Sequence, residues 1–323
     1  MLPQIYYQRP TTARNALKFL AAPGAQACAG GTDLLGCLRE EILPGGTLVS
    51  LSRLKELQEI SELPEGGLRI GALTTLAEIA SHAGIRQRYA ALSQGAASAA
   101  SPQLRNQGTL GGNLCQRPRC WYFRGGFHCL RKGGNQCYAV AGENEYHAIW
   151  GGAGCYIVHP SDTASPLIAL KARMQIVGAK TERTIDLDSF FVGPATDLTR
   201  ENVLKPGEIM AAILLPPSPK GLRSTYRKVQ CRGAWDFALA GAAVALQLTE
   251  GKVSQARIVL SGVAPVPWRA AEAEKALIGK AIDAATTREA ALAAIKNAEP
   301  LEKNAYKVEL VRGILEETIL GLG

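Results

Sequence analysis

The sequence predicts an α+β protein in two parts, and three observations carry that prediction. Short apolar runs alternate between strand-like and helix-like spacing from the start of the chain. The segment Pro216-Pro217-Ser218-Pro219-Lys220-Gly221 breaks both periodicities and reads as a linker. Beyond it come β-like runs and then helices, the pattern of an antiparallel sheet covered by helices. Residues 1–216 are therefore expected to form one domain, with subdomains at about 1–55 and 56–216, and residues 222–323 another.

Taken in order, Thr11 and Thr12 can cap a helix over 13–20, and residues 26–29 form a short apolar strand. Gly30-Gly31-Thr32 turns the chain into a helix carrying Leu34, Leu35 and Leu38, and 47–50 is the next strand. That alternation implies a small unit of parallel strands. A strand over 68–72 follows the Gly66-Gly67 turn, with helices over 76–82 and 89–100. Residues 156–158 look strand-like, 165–170 helical, and 174–177 and 209–215 extended. After the linker the expected strands are 224–229, 238–248 and 256–261, then helices over 270–277, 288–298 and 306–320. In the last helix Val308, Val311, Leu315 and Ile319 share one face, with Lys307, Glu309, Arg312 and Glu316 on others.

Composition narrows the function classes. A chain of 323 residues with 47% hydrophobic and 20% charged content has a real core, and no run is long enough to cross a membrane. Met1-Leu2-Pro3-Gln4 lacks a basic region followed by an apolar one, so a reducing cytoplasm is expected. Periplasmic residence stays open if a signal-bearing partner exports a folded complex. The net charge of +8 is not gathered into a patch with a motif, which argues against nucleic acid as a partner. Only residues 102–142 are acid-free, holding Arg105, Arg117, Arg119, Arg124, Arg131 and Lys132. Such residues can meet phosphate oxygens or offset a thiolate-ligated cluster.

Two glycine turns and one cysteine-rich stretch carry chemistry. Ala29-Gly30-Gly31-Thr32-Asp33-Leu34-Leu35 and Gln107-Gly108-Thr109-Leu110-Gly111-Gly112-Asn113 let backbone approach a phosphate-bearing ligand. Neither is a Rossmann fingerprint or a P-loop. Five of eight cysteines, Cys115, Cys120, Cys129, Cys137 and Cys155, fall within 115–158. From Cys120 the gaps are eight, seven and seventeen residues, without the paired knuckles of zinc ribbons or a ferredoxin pattern. His128, His147 and His159 keep a Cys₃His zinc site open, whereas disulfides would need an oxidising compartment and strand one thiol. Cys28, Cys37 and Cys231 lie among apolar residues and are expected to be buried thiols. No Ser-His-Asp set, H-E-x-x-H or general-base pair is visible, so no catalytic residue is assigned.

In that order, Ala29 to Leu35, then Arg105-Asn106-Gln107-Gly108-Thr109-Leu110-Gly111-Gly112-Asn113-Leu114, then His159-Pro160-Ser161-Asp162, the chain resembles the FAD-binding medium subunit of the xanthine dehydrogenase and molybdenum hydroxylase family. Tyr226-Arg227-Lys228-Val229 extends the resemblance into the C-terminal part. It implies a vanillyl-alcohol-oxidase-like (PCMH-type) fold whose two subdomains clasp FAD, plus a C-terminal flavoprotein domain. Ala27, Cys28, Ala29, Gly30, Gly31, Thr32, Asp33, Leu34 and Leu35 would wrap the pyrophosphate. Thr109, Leu110, Gly111, Gly112 and Asn113 would face them, with Ala99, Ser161, Asp162, Met210 and Lys228 around the cofactor.

Residues 115–158 form an insert relative to many members of that family. It resembles the one in flavin subunits of bacterial periplasmic aldehyde oxidoreductases and of 4-hydroxybenzoyl-CoA reductase, which hold a [4Fe–4S] cluster. The matching positions are Cys120, Cys129, Cys137 and Cys155, with Cys115 a bystander. Trp121, Tyr122, Phe123 and Phe127 would shield the cluster. The resemblance further implies a large molybdenum-cofactor subunit that hydroxylates the substrate and a small subunit with two [2Fe–2S] clusters. These would feed electrons to FAD and on to a soluble acceptor. A stand-alone flavin oxidase and a zinc-stabilised binding protein remain the alternatives.

Overall fold

The computed structural model describes residues 2–323, which form three sheets with helices packed around them. The first sheet is parallel, with β1 (Tyr6–Gln8) and β2 (Gln26–Cys28) flanking β3 (Thr47–Ser50). The expected helix between β1 and β2, Ala13–Leu20, is capped by Thr12 and buries Ala16, Leu17 and Leu20 against this sheet. β1 has no sequence signature, because Tyr6 and Tyr7 are largely exposed and three residues show no periodicity.

The second sheet is antiparallel in the order β4 (Ile60–Glu62), β5 (Leu68–Gly71), β8 (Ile209–Leu215), β6 (Arg173–Val177), β7 (Glu182–Asp186). β8 is a nearly unbroken apolar run because it is the central strand. The edge strands β4 and β7 are polar and were not expected from the sequence. Helices Ala90–Ser98 and Ala164–Ala169 cover this sheet and share its core.

The third sheet runs β12 (Trp268–Arg269), β11 (Lys252–Ser261), β10 (Ala240–Thr249), β9 (Leu222–Val229). β10 is buried on both faces: Ala242, Val244 and Leu246 pack toward the C-terminal helices, Ala243 and Ala245 toward the second sheet's core. Small residues let two layers approach one strand. The last helix, Tyr306–Leu320, buries Val311, Ile314, Leu315 and Ile319. It also buries Lys307, expected on a polar face; its Nζ donates to Gly262 O at 2.8 Å, and burial pulls its pKa down to about 7.

Residues 115–158 contain only the helix Trp121–Arg124 and the 3₁₀ turn Leu130–Lys132. Residues 156–158 are not in a sheet, contrary to expectation. This stretch runs between loops instead, with Ala148 N donating to Tyr156 O and His159 N to Ala264 O, each at 2.9 Å. A segment this irregular is held by side-chain ties rather than by a backbone ladder.

Candidate functional site

The two glycine turns meet across one cleft. Gly30 packs so closely on the second turn that a Cβ there would strike the Gln107 carbonyl oxygen, and Gly31 takes φ +72°. Gln107 Nε2 donates to Gly30 O at 3.3 Å, and Thr109 Oγ1 accepts from Gly112 N at 3.2 Å. The cleft between them consists of two adjoining cavities that share Thr32, Asp33, Thr109, Gly112 and Gln116. One end is apolar, with Ala27, Leu34, Leu73, Leu204 and Met210. The other is polar, with Asn113 and Asp162 beside Ala99 and Trp235. Ala100 and Trp235, both non-glycine residues with positive φ, are tied there by Trp235 N donating to Ala100 O at 3.1 Å.

The polar end is wired by buried groups. Asn113 Oδ1 accepts from Ser161 Oγ at 2.6 Å and from Thr163 Oγ1 at 2.7 Å, which fixes the amide. Asp162 accepts from Tyr226 Oη at 2.9 Å and from Lys228 Nζ at 2.8 Å. Burial pushes the Asp162 carboxyl up while the ammonium pulls it down, and burial holds the Tyr226 phenol well above its usual value. Lys228 also donates to Ser98 O at 3.1 Å and Asp236 O at 2.7 Å. All three of its hydrogens are committed, so Lys228 orders the wall instead of presenting a free cation to a ligand.

Ala29, Gly30, Gly31, Thr32, Asp33, Thr109, Gly111 and Gly112 line the cleft, together with the residues just named at its two ends. Five expected residues stand back from it, Lys228 among them. Leu110 is in the core, Leu35 is 42% exposed, Cys28 packs behind Gly31, and Ser161 acts through Asn113. Gln116, Arg119, Leu204 and residues 235–237 line it unanticipated. Of these only Arg119 carried a signal, as a base beside Cys120.

Asp33 ties the first glycine turn to the insert. Its carboxylate accepts from Arg119 Nη1 at 2.7 Å, Arg124 Nη2 at 2.8 Å and Arg117 N at 2.8 Å. Arg124 also reaches Glu40 at 3.2 Å, Cys37 Sγ at 3.1 Å and Pro118 O at 2.8 Å. Arg117 bridges to Glu201 at 2.9 Å. The acid-free stretch thus finds its counter-charges outside itself, and three of its arginines serve as ties.

Cys120, Cys129, Cys137 and Cys155 line one small, nearly filled chamber, with about 10 Å³ of open space, together with Tyr122, Phe123, Arg131, Tyr138 and His147. Cys115 lines the cleft instead, where burial pushes its thiol up to about 12. Burial also lifts Cys120 to about 11 and raises Cys155. His147 Nε2 lies 3.3 Å from Cys120 Sγ, and burial, with Lys307 adding to it, lowers its pKa to about 4. Arg131, the one base of the stretch in this wall, pairs with Glu201 at 2.7 Å. Its Nε and Nη2 are buried without a partner, as is His147 Nδ1. Among the described residues, no three His, Cys, Asp or Glu side chains gather closely enough to hold one metal ion. Of the aromatics, Tyr122 and Phe123 line the chamber, whereas Trp121 and Phe127 are 38% and 44% exposed and do not. Phe127 packs on Tyr122 and Tyr138, with ring centroids at 5.0 and 5.1 Å. Cys37 is buried, Cys28 half-buried, and Cys231, expected in the core, is exposed in the loop between β9 and β10.

The family described as the FAD binding domain in molybdopterin dehydrogenase matches residues 3–218, and the CO dehydrogenase flavoprotein C-terminal domain matches residues 224–322. The chain is 36% identical to the aldehyde oxidoreductase FAD-binding subunit PaoB of Escherichia coli strain K12, covering 97% of this chain and 96% of that one. It is 29% identical to the carbon monoxide dehydrogenase medium chain of Hydrogenophaga pseudoflava, over 93% and 89%. A solved structure of carbon monoxide dehydrogenase from the same organism superposes with a TM-score of 0.78 at 28% identity, covering 99% of this chain and 97% of that one. The two glycine turns, the three-sheet architecture and these matches agree: the chain belongs to the FAD-binding subunits of molybdenum hydroxylase-type oxidoreductases.

Proposed function

We propose that the chain is an electron-transfer subunit that holds FAD in the cleft and a [4Fe–4S] cluster in the cysteine chamber. The observation that carries the second cofactor is the convergence of Cys120, Cys129, Cys137 and Cys155 on one chamber beside the unpaired guanidinium donors of Arg131. A thiolate-ligated cluster is negatively charged and accepts hydrogen bonds through sulfur. Its sulfur atoms would accept hydrogen bonds from the unpaired Arg131 donors.

The cleft fits a dinucleotide by the same reasoning. Glycine backbone and Thr32 and Thr109 stand at its middle, where a pyrophosphate needs close amide and hydroxyl donors. Apolar walls at one end suit a ring system, and Asn113 and Asp162 offer polar contacts at the other. When bound, FAD supplies one- and two-electron transfer, and the cluster one-electron transfer. The protein's part is to hold both in register. Asp33 does so by joining the turn under the cleft to the arginines that flank Cys120.

In this reading a large molybdenum-cofactor partner oxidises the substrate, an aldehyde by analogy with the Escherichia coli relative's name. A small partner with two [2Fe–2S] clusters delivers the electrons, and a soluble acceptor takes them away. The complex works in the cytoplasm, or in the periplasm if a partner carries an export signal. The test is a visible spectrum of the purified protein with iron, sulfide and flavin quantified. One flavin and about four irons per chain are expected. A colourless, zinc-containing protein would overturn the cluster and the flavin, and substrate oxidation by this chain alone would overturn the subunit role.

A further inference from the structure

His147 lies in irregular backbone between Asn144 and Tyr156, yet its place is fixed. Its backbone N–H donates to Asn144 O at 2.9 Å, and its carbonyl accepts from Asn304 Nδ2 at 3.1 Å. Asn304, fully buried just ahead of the last helix, also donates to Ala148 O at 3.2 Å and accepts from Leu301 N at 2.7 Å. Trp121 meets the imidazole edge to face, with ring centroids 5.8 Å apart. Held in this way and buried, the ring sets its Nε2 3.3 Å from Cys120 Sγ. We infer that His147 is a positioning residue for the proposed cluster and not one of its ligands: its Nε2–H donates to the Cys120 sulfur and raises the potential at which the cluster is reduced. The role rests on the function proposed above.

The chemistry of the pair assigns the direction of the bond. Four thiolates fill the ligand positions of a [4Fe–4S] cluster, so a further group beside them has no iron to take. A ligated thiolate carries no hydrogen, so this pair can bond only through a hydrogen on Nε2. That holds for a neutral ring and for an imidazolium alike. Burial raises the Cys120 thiol, but the backbone N–H groups of Phe123 and Tyr122 pull it down, so this sulfur already sits among donors. Reduction adds one negative charge to a sulfur-rich core, and a donor on sulfur stabilises the more negative state. The imidazole therefore favours the reduced cluster, acting through Cys120.

The test compares His147→Phe and His147→Gln with the wild-type full chain, each with iron, sulfide and flavin quantified. Phenylalanine keeps a ring without a donor, whereas glutamine brings an N–H to about the same place. Both variants should keep about four irons per chain. In a redox titration followed by electron paramagnetic resonance, the His147→Phe cluster should be harder to reduce by about tenfold in equilibrium constant, about 59 mV for one electron. His147→Gln should recover most of that shift, and the flavin, whose cleft His147 does not line, should keep its potential in both. If His147→Phe does not fold, His147→Leu serves as the variant without a donor. An unchanged potential in the variant without a donor, or an equal shift in His147→Gln, would overturn the hydrogen bond. Loss of iron from both variants would overturn it too, by making His147 a ligand. Wild-type protein without iron overturns the proposed cluster and this role together, whereas iron-loaded proteins that share one potential overturn this role alone.

Discussion

The polar end of the cleft and the cysteine chamber are both buried, but they close their hydrogen bonds differently. Around Asp162, the carboxylate, the Tyr226 hydroxyl, the Lys228 ammonium and the Asn113 carbonyl all meet protein partners. In the chamber, Arg131 Nε and Nη2 and His147 Nδ1 meet none, and the four cysteines line the same wall. Folding alone satisfies the four groups around Asp162, although Arg119 Nε in the same wall and His159 Nε2 beside it stay unpaired. The two Arg131 donors of the second region have no protein acceptor, and these are the groups the proposed cluster would meet.

That contrast can be broken most sharply at the thiols. Cys120→Ser and Cys155→Ser should each lose essentially all of about four irons per chain, while Cys115→Ser keeps them. Iron analysis checks this, and an assignment in which Cys115 mattered and Cys129 did not would be wrong. The cleft should respond in stability whether or not a cofactor is bound. Lys228→Met strands the Asp162 carboxylate in the core and should cost about 3–5 kcal/mol in denaturant unfolding. A loss equally large in iron content would erase the distinction between the regions.

His159 sits at the junction, buried against Phe191 with ring centroids at 4.7 Å. Burial lowers its pKa from 6.5 to about 4, so the folded protein keeps it neutral where the unfolded chain is protonated. Stability from this residue is complete above pH 6.5 and is lost as pH falls toward 4, by about 3 kcal/mol in all. Denaturant midpoints of His159→Phe across that window should be flatter by this amount. The smallest effect sharpens how the regions are joined. Arg124→Met removes the ties to Asp33 and Glu40 and should cost about 1–3 kcal/mol. Flavin and iron content should fall together in this variant; a fall in only one would show that the two sites are held independently.

Much of the fold was legible because its signals are local. The helices Ala13–Leu20 and Tyr306–Leu320 and the strands Thr47–Ser50 and Ile209–Leu215 have the expected bounds, since each shows a full period of apolar residues or a buried run. The edge strands Ile60–Glu62 and Glu182–Asp186 did not show, because their side chains face water and carry no pattern. The glycine turns were legible as sites because only glycine permits that backbone approach. Lys307 and Cys231 were misplaced for a common reason: burial depends on what packs over a residue, which its own type does not state.

Sequence by itself determined the elements, the glycine turns and the set of thiols available, because these follow from steric and hydrophobic preferences within a few residues. Tertiary structure alone decided that Arg124 holds Asp33 from 91 positions away and that Lys228 commits its hydrogens to the wall. It also decided that Arg131 reaches the thiols with donors to spare. Charge pairing of this kind depends on distance and burial, and both exist only once separate segments have packed together.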